Sequence, residues 1–337
     1  MIVATDHRIA SATPGIDLYV RNKRLAGEGA PDPDKVVLFV HGATYPGSAV
    51  FDHAAFDSGS WLDYLAAHGF DAYLFDVRGY GHSLHPSMPR TFPEHGGPYA
   101  RTSEAQVDLA AVVAFVRARS GNARVNLIGW SWGTALAGGF TAANNEAVRH
   151  LVLFAPLWLI RNTPSMTMMR WAMASLPLSL APGANPLDFR TISKPEARQR
   201  WVRGLDASVA EQLMPQAEFD RWWNALSDIQ GKPGDKSQVV LAPNGVIADL
   251  MELWSAGRPT YEPERIRVPT QLLLGEWDVD TPVYMAQELF SKLLHAPYKR
   301  LEVLARGTHS MVLELNRIEL YHRSREFLES RFVADMA

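Results

Sequence analysis

The segment RVNLIGWSWG (124–133) is the strongest indication of the fold. Its first half is an apolar run typical of a strand buried on both faces, and its second half is a Gly-x-Ser-x-Gly turn. The next segment, TALAGGFTAANN (134–145), is rich in small residues and predicts a helix. A chain that passes from strand to helix through such a turn lifts the serine hydroxyl above the edge of the sheet. Ser131 is therefore a candidate nucleophile; the alternative is that its side chain only caps the helix.

The same change from strand to helix recurs on both sides of this stretch. The predicted strands are KVVLFVHG (35–42), FDAYLFDVRGYG (70–81), HLVLFAP (150–156), PTQLLLGEWD (269–278) and KRLEVLARG (299–307). The other predicted helices lie at 60–69, 103–121, 283–294 and 315–332. Strands that alternate with helices form mainly parallel sheets with helices on both faces. The sequence therefore predicts an α/β protein with a mainly parallel, doubly wound sheet.

The segment 103–121 has the features of a regular amphipathic helix. Its predicted sheet-facing stripe consists of Val107, Ala111, Ala114 and Phe115. Gly121 follows the basic end of the segment and predicts its C-terminal cap.

The alternation of strands and helices stops between Pro156 and Pro263. This part of the chain is helical in pattern and rich in tryptophan, methionine and proline. Because strands and helices alternate again beyond it, we interpret it as an inserted, mainly helical subdomain. The predicted division is a core formed by 1–156 and 263–337 and an insertion at 157–262.

The composition is that of a packed globular protein. Of 337 residues, 47% are hydrophobic and 20% are charged, which excludes global disorder. The absence of cysteine excludes disulfide scaffolds, thiolate metal sites and cysteine nucleophiles. The formal net charge of −3, with both signs scattered along the chain, argues against a nucleic-acid partner.

The sequence predicts no stable membrane insertion. Its longest apolar run, LVLFAPLWLI (151–160), is shorter than the ~18–20 residues of a membrane span. The N-terminal stretch has Asp6, His7 and Arg8 where a secretory signal would be apolar. We therefore expect a cytoplasmic protein, as a monomer or a homodimer.

A serine nucleophile needs a base and an acid that orients the base. Asp278 follows a predicted strand in GEWDVDTP, and His309 follows the next one in ARGTHSM. Both stand where strands end, which is where sheet enzymes collect their sites, and the chain order is Ser, Asp, His. Taken singly, Asp278 fits a helix cap, Asp280 is a local competitor, and His309 fits a loop histidine. The combination predicts a catalytic triad of Ser131, Asp278 and His309.

Acyl transfer also needs donors that stabilise an oxyanion, and backbone N–H groups serve this purpose. The N–H of Trp132, directly after the candidate nucleophile, is one candidate. The other is the N–H of Ala43 in the loop HGAT (41–44), which follows a predicted strand. We expect His41 to hold this loop by hydrogen bonding rather than to act as a second base.

Several segments together resemble the α/β-hydrolase fold family: HGAT (41–44), DVRGYGHS (76–83), GWSWG (129–133), GEWDVDTP (275–282) and GTH (307–309). The resemblance extends over essentially the whole chain and places the insertion where this family has a helical lid. It implies Ser131 as nucleophile, Asp278 as acid, His309 as base, and the Ala43 and Trp132 N–H groups as oxyanion hole. It implies no metal and no organic cofactor.

The same resemblance limits the activity. Haloalkane dehalogenases and epoxide hydrolases have aspartate at the position of Ser131, so the serine argues against both. The S-W-G part of the turn is similar to proline iminopeptidases, but their H-G-G-P-G loop is absent, with Ala43 and Thr44 in its place. Asp76, Arg78 and His82 match a segment that is mostly structural in the family.

The insertion suggests what the substrate is. Six of the ten tryptophans lie in it, namely Trp158, Trp171, Trp201, Trp222, Trp223 and Trp254. Methionines cluster in PSMTMMRWAM (164–173), and flexible methionine beside rigid aromatics makes an adaptable apolar wall. The predicted substrate-binding residues are Trp130, Trp158 and Met169. Candidates for receiving a lone carboxylate are Arg161, Arg170 and Arg203.

These inferences lead to a serine hydrolase that cleaves carboxylic esters with a bulky apolar acyl or alcohol group. Its expected partner is a small apolar ester, and the reaction passes through an acyl-enzyme on Ser131. The alternatives are hydrolysis of C–C bonds, lactones or amides by the same triad, and acyl transfer. An alternative outside the enzymes is a ligand-binding receptor with the same fold.

Overall fold

The computed structural model describes residues 1–27, 29, 32–83, 98–161, 189–230 and 239–332. The strands in these ranges are β1 (Ile2–Ala10), β2 (Asp17–Leu25), β3 (Val36–Val40), β4 (Asp71–Asp76), β5 (Val125–Trp130), β6 (Val148–Phe154), β7 (Phe189–Ser193), β8 (Val239–Pro243), β9 (Thr270–Gly275) and β10 (Lys299–Leu304). The helices are α1 (Gly47–Val50), α2 (Trp61–Ala67), α3 (Thr102–Ser120), α4 (Trp132–Ala143), α5 (Lys194–Trp201), α6 (Ala207–Leu213), α7 (Gln216–Gln230), α8 (Gly245–Glu252), α9 (Val283–Lys292) and α10 (Arg317–Glu329).

The main sheet has eight strands in the order β1-β2-β4-β3-β5-β6-β9-β10. From β4 to β10 all neighbouring strands are parallel, which confirms the predicted mainly parallel α/β sheet. The first two strands form an antiparallel hairpin on the edge of the sheet. This hairpin was not predicted from the sequence, because β1 is largely exposed and has no long continuous apolar run.

Helices cover both faces of the sheet, as a doubly wound fold requires. Along β3, Val36, Leu38 and Val40 join the cluster formed with α3, α4 and α9, whereas Val37 and Phe39 join the cluster formed with α2 and α10. Because successive side chains of a strand point to opposite faces, one short apolar strand contributes to both halves of the core.

Helix α3 packs on a different stripe from the one predicted. Its buried apolar residues are Ala105, Leu109, Val112, Val113 and Val116, whereas Val107 is exposed. Apolar residues surround this helix on most sides, so spacing alone did not fix which stripe meets the sheet. The predicted C-terminal cap at Gly121 is present, with a left-handed φ of 71°.

The chain between β6 and β9 contains β7, β8 and the helices α5 to α8. Strands β7 and β8 form a separate antiparallel ribbon, which the mainly helical pattern did not predict. Trp201, Trp222 and Trp223 join the same core cluster as α2 and α10. The described part of the insertion therefore packs tightly on the core, and the boundaries predicted for it as a subdomain stay a prediction.

The methionine cluster and the absence of a membrane span are the remaining expectations for the chain outside the main sheet. The methionine cluster, with Met169 and also Arg170 and Trp171, lies outside the described residues. Among the described helices, none combines the length and apolar character that crossing a membrane requires.

Candidate active site

The turn at Ser131 is sharp and locally strained. Strand β5 ends at Trp130, α4 begins at Trp132, and Ser131 between them has φ 56° and ψ −122°. Such a conformation is rare for a residue with a Cβ and costs roughly 1–3 kcal/mol. The Ser131 N–H donates to the carbonyl of Phe154 on the neighbouring strand at 2.9 Å, which holds the turn in place.

Glycines let three segments approach one another at this turn. A Cβ on Gly133 would lie 2.1 Å from the carbonyl oxygen of Val40, and one on Gly129 would lie 2.5 Å from the carbonyl oxygen of Gly133. A Cβ on Gly42 would lie 3.1 Å from Ser131 Cβ. The glycines therefore provide the space in which the turn and the loop after β3 contact each other.

The structure brings the three predicted triad residues together. The Nε2 atom of His309 lies 2.9 Å from Ser131 Oγ, and its Nδ1 atom lies 2.9 Å from Asp278 Oδ2. These distances fit a hydrogen bond from the serine hydroxyl to Nε2 and one from Nδ1–H to the carboxylate. The arrangement is that of a nucleophile, a base and an orienting acid.

The acid position is occupied by Asp278 and not by its competitor Asp280. Asp278 Oδ1 accepts from the N–H groups of Asp280 at 2.9 Å and Thr281 at 2.8 Å, and Oδ2 accepts from Thr281 Oγ1 at 2.8 Å. The turn after β9 thus fixes this carboxylate in front of His309.

Asp280 instead pairs with two arginines of the insertion, Arg200 at 3.0 Å and Arg203. Burial raises the pKa of the Asp280 carboxyl, but Arg200, His309 and Arg203 together outweigh burial and lower it to about 2. Asp280 is therefore ionised at neutral pH and links the insertion to the loop that bears Asp278.

His309 has a pKa above its usual value of 6.5. Burial alone would lower the pKa, but the charge of Asp278 and its hydrogen bond to Nδ1 outweigh burial, because both favour the imidazolium. The indole N–H of Trp130 donates to the backbone carbonyl of His309 at 2.9 Å. Trp130, predicted to bind substrate, therefore also holds the loop of the histidine.

A second carboxyl supports the same loop and was missed by the sequence analysis. Glu314 is fully buried and accepts hydrogen bonds from Thr308 N at 3.1 Å, from Thr308 Oγ1, and from Trp201 Nε1 at 2.9 Å. Burial raises its pKa. Its position five residues after His309 gave no signal, because its partner Trp201 lies far away in the sequence.

The loop after β3 is held by groups on both sides of Ala43. His41 Nε2 accepts from Val77 N at 3.0 Å, so its Nδ1–H donates to the carbonyl of Gly42 at 2.7 Å. Burial lowers the pKa of His41, which keeps the ring neutral. The structural role expected for His41 is confirmed.

The carbonyl of Ala43 accepts from Tyr80 Oη and from Arg190 Nη2, each at 2.8 Å. Ala43 lines the cavity around Ser131. Trp132 is the first residue of α4, and the first N–H groups of a helix have no acceptor within it. Both predicted oxyanion-hole residues are thus beside Ser131, and their role in stabilising an oxyanion stays a prediction.

The described residues form a cavity at Ser131 and a second cavity next to it. The first, of ≈ 30 Å³, is lined by Ser131, His309, Ala43, Trp130 and Trp201, among others. It has room for about two water molecules. The second, of ≈ 660 Å³, shares Thr44, Tyr45, Ala197, Arg200 and Arg203 with the first. Of the two, the second has the size of a typical small-molecule site, roughly 300–1,000 Å³.

The described tryptophans of the insertion do not form the apolar pocket that their number suggested. Trp158, Trp222, Trp223 and Trp254 are each at most 2% exposed and pack in the core. Trp158 contacts Tyr261 edge to face and, within the described ranges, lines neither cavity. Trp201 is the described insertion tryptophan that reaches the cavity at Ser131. Packing of the insertion on the core explains most of these side chains.

The structure also shows where the candidate arginines and the segment 76–83 lie. Arg161 pairs with Glu288 at 2.6 Å, away from both cavities, whereas Arg203 lines both cavities.

Asp76 accepts hydrogen bonds from Ser48 and His82, and Arg78 is buried and pairs with Asp108. The segment that contains Asp76, Arg78 and His82 therefore has the structural role expected for it. No group of three or more acidic or histidine side chains within the described ranges could hold a metal ion.

The comparisons with known proteins agree with this architecture. Residues 35–199 match the family model of the alpha/beta hydrolase fold. Together with the sheet order and the strand–turn–helix at Ser131, this shows that the chain has the α/β-hydrolase fold. No curated protein matches the sequence.

Solved structures with the same fold include enzymes of several activities. One is a 2-hydroxy-6-oxo-6-phenylhexa-2,4-dienoate hydrolase from Rhodococcus sp. strain RHA1, with TM-score 0.60, 15% identity, and coverage of 98% of this chain and 100% of that chain. Another is epoxide hydrolase I of potato (Solanum tuberosum), with TM-score 0.62, 17% identity, and coverage of 97% and 99%. A structure from a study of carboxylesterases of Nitrososphaera gargenis has TM-score 0.60, 15% identity, and coverage of 96% and 97%. At such identities the similarity shows the fold alone.

Proposed function

We propose that this protein is a serine ester hydrolase that works through an acyl-enzyme on Ser131. The observation that carries the proposal is the continuous contact from Ser131 Oγ to His309 and on to Asp278, with 2.9 Å at each step. A serine hydroxyl is a weak nucleophile on its own, and this contact supplies the base that activates it.

Acylation begins when Ser131 Oγ attacks the ester carbonyl and His309 Nε2 accepts the hydroxyl proton. Asp278 stabilises the imidazolium and keeps Nδ1 protonated, so Nε2 is the atom that exchanges protons. The N–H groups of Ala43 and Trp132 stabilise the oxyanion, and each such donor is worth roughly 3–4 kcal/mol. His309 then gives the proton to the leaving alcohol.

Deacylation repeats these steps with water. His309 takes a proton from the attacking water, the oxyanion forms again beside Ala43 and Trp132, and the acid leaves as Ser131 Oγ regains its proton.

Turnover of p-nitrophenyl butyrate, with labelling of Ser131 by an uncharged alkyl fluorophosphonate, tests the proposal. The wild-type protein should release nitrophenol and gain one phosphonyl group on Ser131, located by peptide mass spectrometry. Ser131→Ala should abolish labelling and lower kcat by at least ~10³-fold. A Ser131→Ala variant that retains most turnover would contradict the proposal.

The substrate class follows from a panel around this reference ester. Esters of graded acyl length test the predicted apolar group, whose methionine cluster lies outside the described residues. Amides, lactones and β-diketones of similar size test the alternatives on the same triad. We expect esters to give the highest kcat/KM.

A further inference from the structure

The larger cavity beside the nucleophile is cationic. Arg190, Arg200 and Arg203 all line it, and the last two also line the cavity at Ser131. Both cavities also share Thr44 and Tyr45, so they adjoin each other at these two side chains. A ligand in the larger cavity therefore lies next to the oxyanion loop.

The arginines are not neutralised by an equal number of acids. Arg200 and Arg203 share one carboxylate, that of Asp280. Arg190 donates to the carbonyl oxygens of Ala43 and Pro243 and has no carboxylate partner in the described ranges. A partly buried guanidinium without a counterion is costly, and an anionic ligand would relieve this cost.

Glu196, an acid among the described residues that line the larger cavity, does not compensate for these charges. It accepts from the N–H and hydroxyl of Ser193 and so caps helix α5. Its carboxyl pKa is lowered by these hydrogen bonds, and it lies on the exposed rim of the cavity. It stabilises the helix instead of pairing with an arginine.

Tyr45 adds an independent sign of a ligand. Its side chain is buried, with 7% of the residue exposed, and it lines both cavities. No described residue forms a hydrogen bond with its hydroxyl. Burial raises the pKa of Tyr45 to about 12 even though Arg200 and Arg190 act against this, so the hydroxyl remains a donor at neutral pH. A donor that opens onto the cavity near two guanidinium groups fits an anionic acceptor.

We propose that this cavity binds a carboxylate carried by the substrate itself, on the side of the ester that faces Tyr45 and Arg200. Arginine and tyrosine donors match the two oxygens of a carboxylate, and charge-assisted hydrogen bonds are about twice as strong as neutral ones. This inference rests on the proposed ester hydrolysis at Ser131. The substrate class is then the monoester of a dicarboxylic acid, and the charged end is held while the ester reaches Ser131.

Binding without turnover is the first test. The Ser131→Ala variant is titrated calorimetrically with monomethyl adipate and with methyl hexanoate, which differ in the terminal carboxylate. We expect the monoester to bind at least ~10-fold more tightly, because hydrogen bonds to charged groups contribute more than neutral ones. Its affinity should fall with ionic strength, whereas that of methyl hexanoate should change little.

Three substitutions in the Ser131→Ala background locate the effect. Arg200→Gln and Tyr45→Phe should each reduce the preference for the monoester by ~3- to 10-fold. Arg198→Gln is the matched control, since Arg198 lies on the same helix and pairs with Glu211. It should leave the preference unchanged. Equal affinity for the two esters, or equal effects of Arg200→Gln and Arg198→Gln, would overturn the inference.

Turnover separates this inference from the proposed function. With Ser131 intact, monomethyl adipate should show the higher kcat/KM, measured by methanol release, and Arg200→Gln should lower that advantage. If the monoester binds preferentially but neither ester is hydrolysed, the ester hydrolase proposal fails and the carboxylate site stands. If both are hydrolysed without preference, the carboxylate site fails and the hydrolase proposal stands.

Discussion

The carboxyl edge of the sheet and the insertion meet at the same site but are built differently. At the sheet edge, the backbone positions the functional side chains: the turn at Ser131 is set between β5 and α4, and Asp278 is fixed by N–H groups of its own turn. The described part of the insertion contacts the site through side chains, among them Arg190 on Ala43 and Trp201 on Glu314.

The two regions differ in how far apart in the sequence their contacting residues lie. Backbone turns are encoded by residues adjacent in the chain, such as Gly129 and Gly133 around Ser131. The contacts of the insertion at the site join residues far apart in the sequence, 77 positions for Arg203 and Asp280 and 113 for Trp201 and Glu314. The sheet edge should therefore determine whether the chemistry occurs, and the insertion should determine which substrate undergoes it.

The largest effect is expected at the acid. Asp278→Asn removes the charge that stabilises the imidazolium and favours the wrong histidine tautomer, so kcat should fall by ~10³–10⁴-fold. Asp280→Asn, which alters the link to the insertion, should cost much less. Steady-state kinetics with p-nitrophenyl butyrate measures both variants. A larger loss in Asp280→Asn would show that the acid has been assigned to the wrong residue.

The next largest effect concerns the space at the turn. Gly133→Ala places a Cβ 2.1 Å from the backbone oxygen of Val40. Because both atoms are fixed by the backbone, the clash cannot be relieved by a side-chain movement. The free energy of unfolding should therefore fall by ~3 kcal/mol or more. Gly204, in the insertion, has φ 83°, and a Cβ there would have no neighbour within 4 Å, so Gly204→Ala should cost ~1–2 kcal/mol. Urea unfolding measures both. Similar losses would remove the contrast between the two regions.

A smaller effect is expected where the two regions are joined. Glu314→Gln leaves a buried donor of Thr308 or Trp201 without an acceptor, which should cost ~1–3 kcal/mol of stability. Trp201→Phe removes the donor on the insertion together with part of a buried ring, and it leaves both donors of Thr308 paired with Glu314. Hydrogen exchange should show faster opening of α5 in both variants and unchanged protection of β5. Equal deprotection of β5 would mean that the insertion and the sheet unfold as one unit.

The smallest effect is a shift of the pH profile. Because the pKa of His309 is raised and the neutral ring is the base, kcat/KM should rise with pH along a limb centred above 6.5. Arg200 lowers this pKa and Asp280 raises it, so Arg200→Gln should move the limb to higher pH and Asp280→Asn to lower pH. Shifts of the same sign in the two variants would contradict this electrostatic account.

Sequence reasoning located the sheet edge because each of its parts is encoded locally. The apolar run before GWSWG, the loop HGAT and the acids and histidine after later strands all lie on the predicted elements. It missed the β1–β2 hairpin, whose exposed edge strand has little apolar signal. It also assigned the wrong stripe of α3, because that helix has apolar residues on several sides.

The insertion was harder to predict because its function depends on contacts distant in sequence. The tryptophans suggested an apolar pocket, yet most of those described pack in the core. Of the arginines at the cavity, only Arg203 was singled out, and Arg190 and Arg200 gave no pattern of their own. The available signal for the cationic cavity was the number of arginines in 190–203, where Arg190, Arg198, Arg200 and Arg203 lie.

The buried carboxyl of Glu314 has a consequence for how binding and reaction communicate. Glu314 accepts hydrogen bonds from Thr308, in the loop of His309, and from Trp201, in the insertion. The order of this loop and the position of the insertion therefore depend on each other. Coupling between two sites is reciprocal in free energy. A ligand that stabilises the contact between Trp201 and Glu314 therefore also stabilises the loop of His309, and a covalent adduct on Ser131 that orders this loop stabilises that contact to the same extent. Substrate affinity and the order of the loop that bears His309 are therefore linked through one equilibrium.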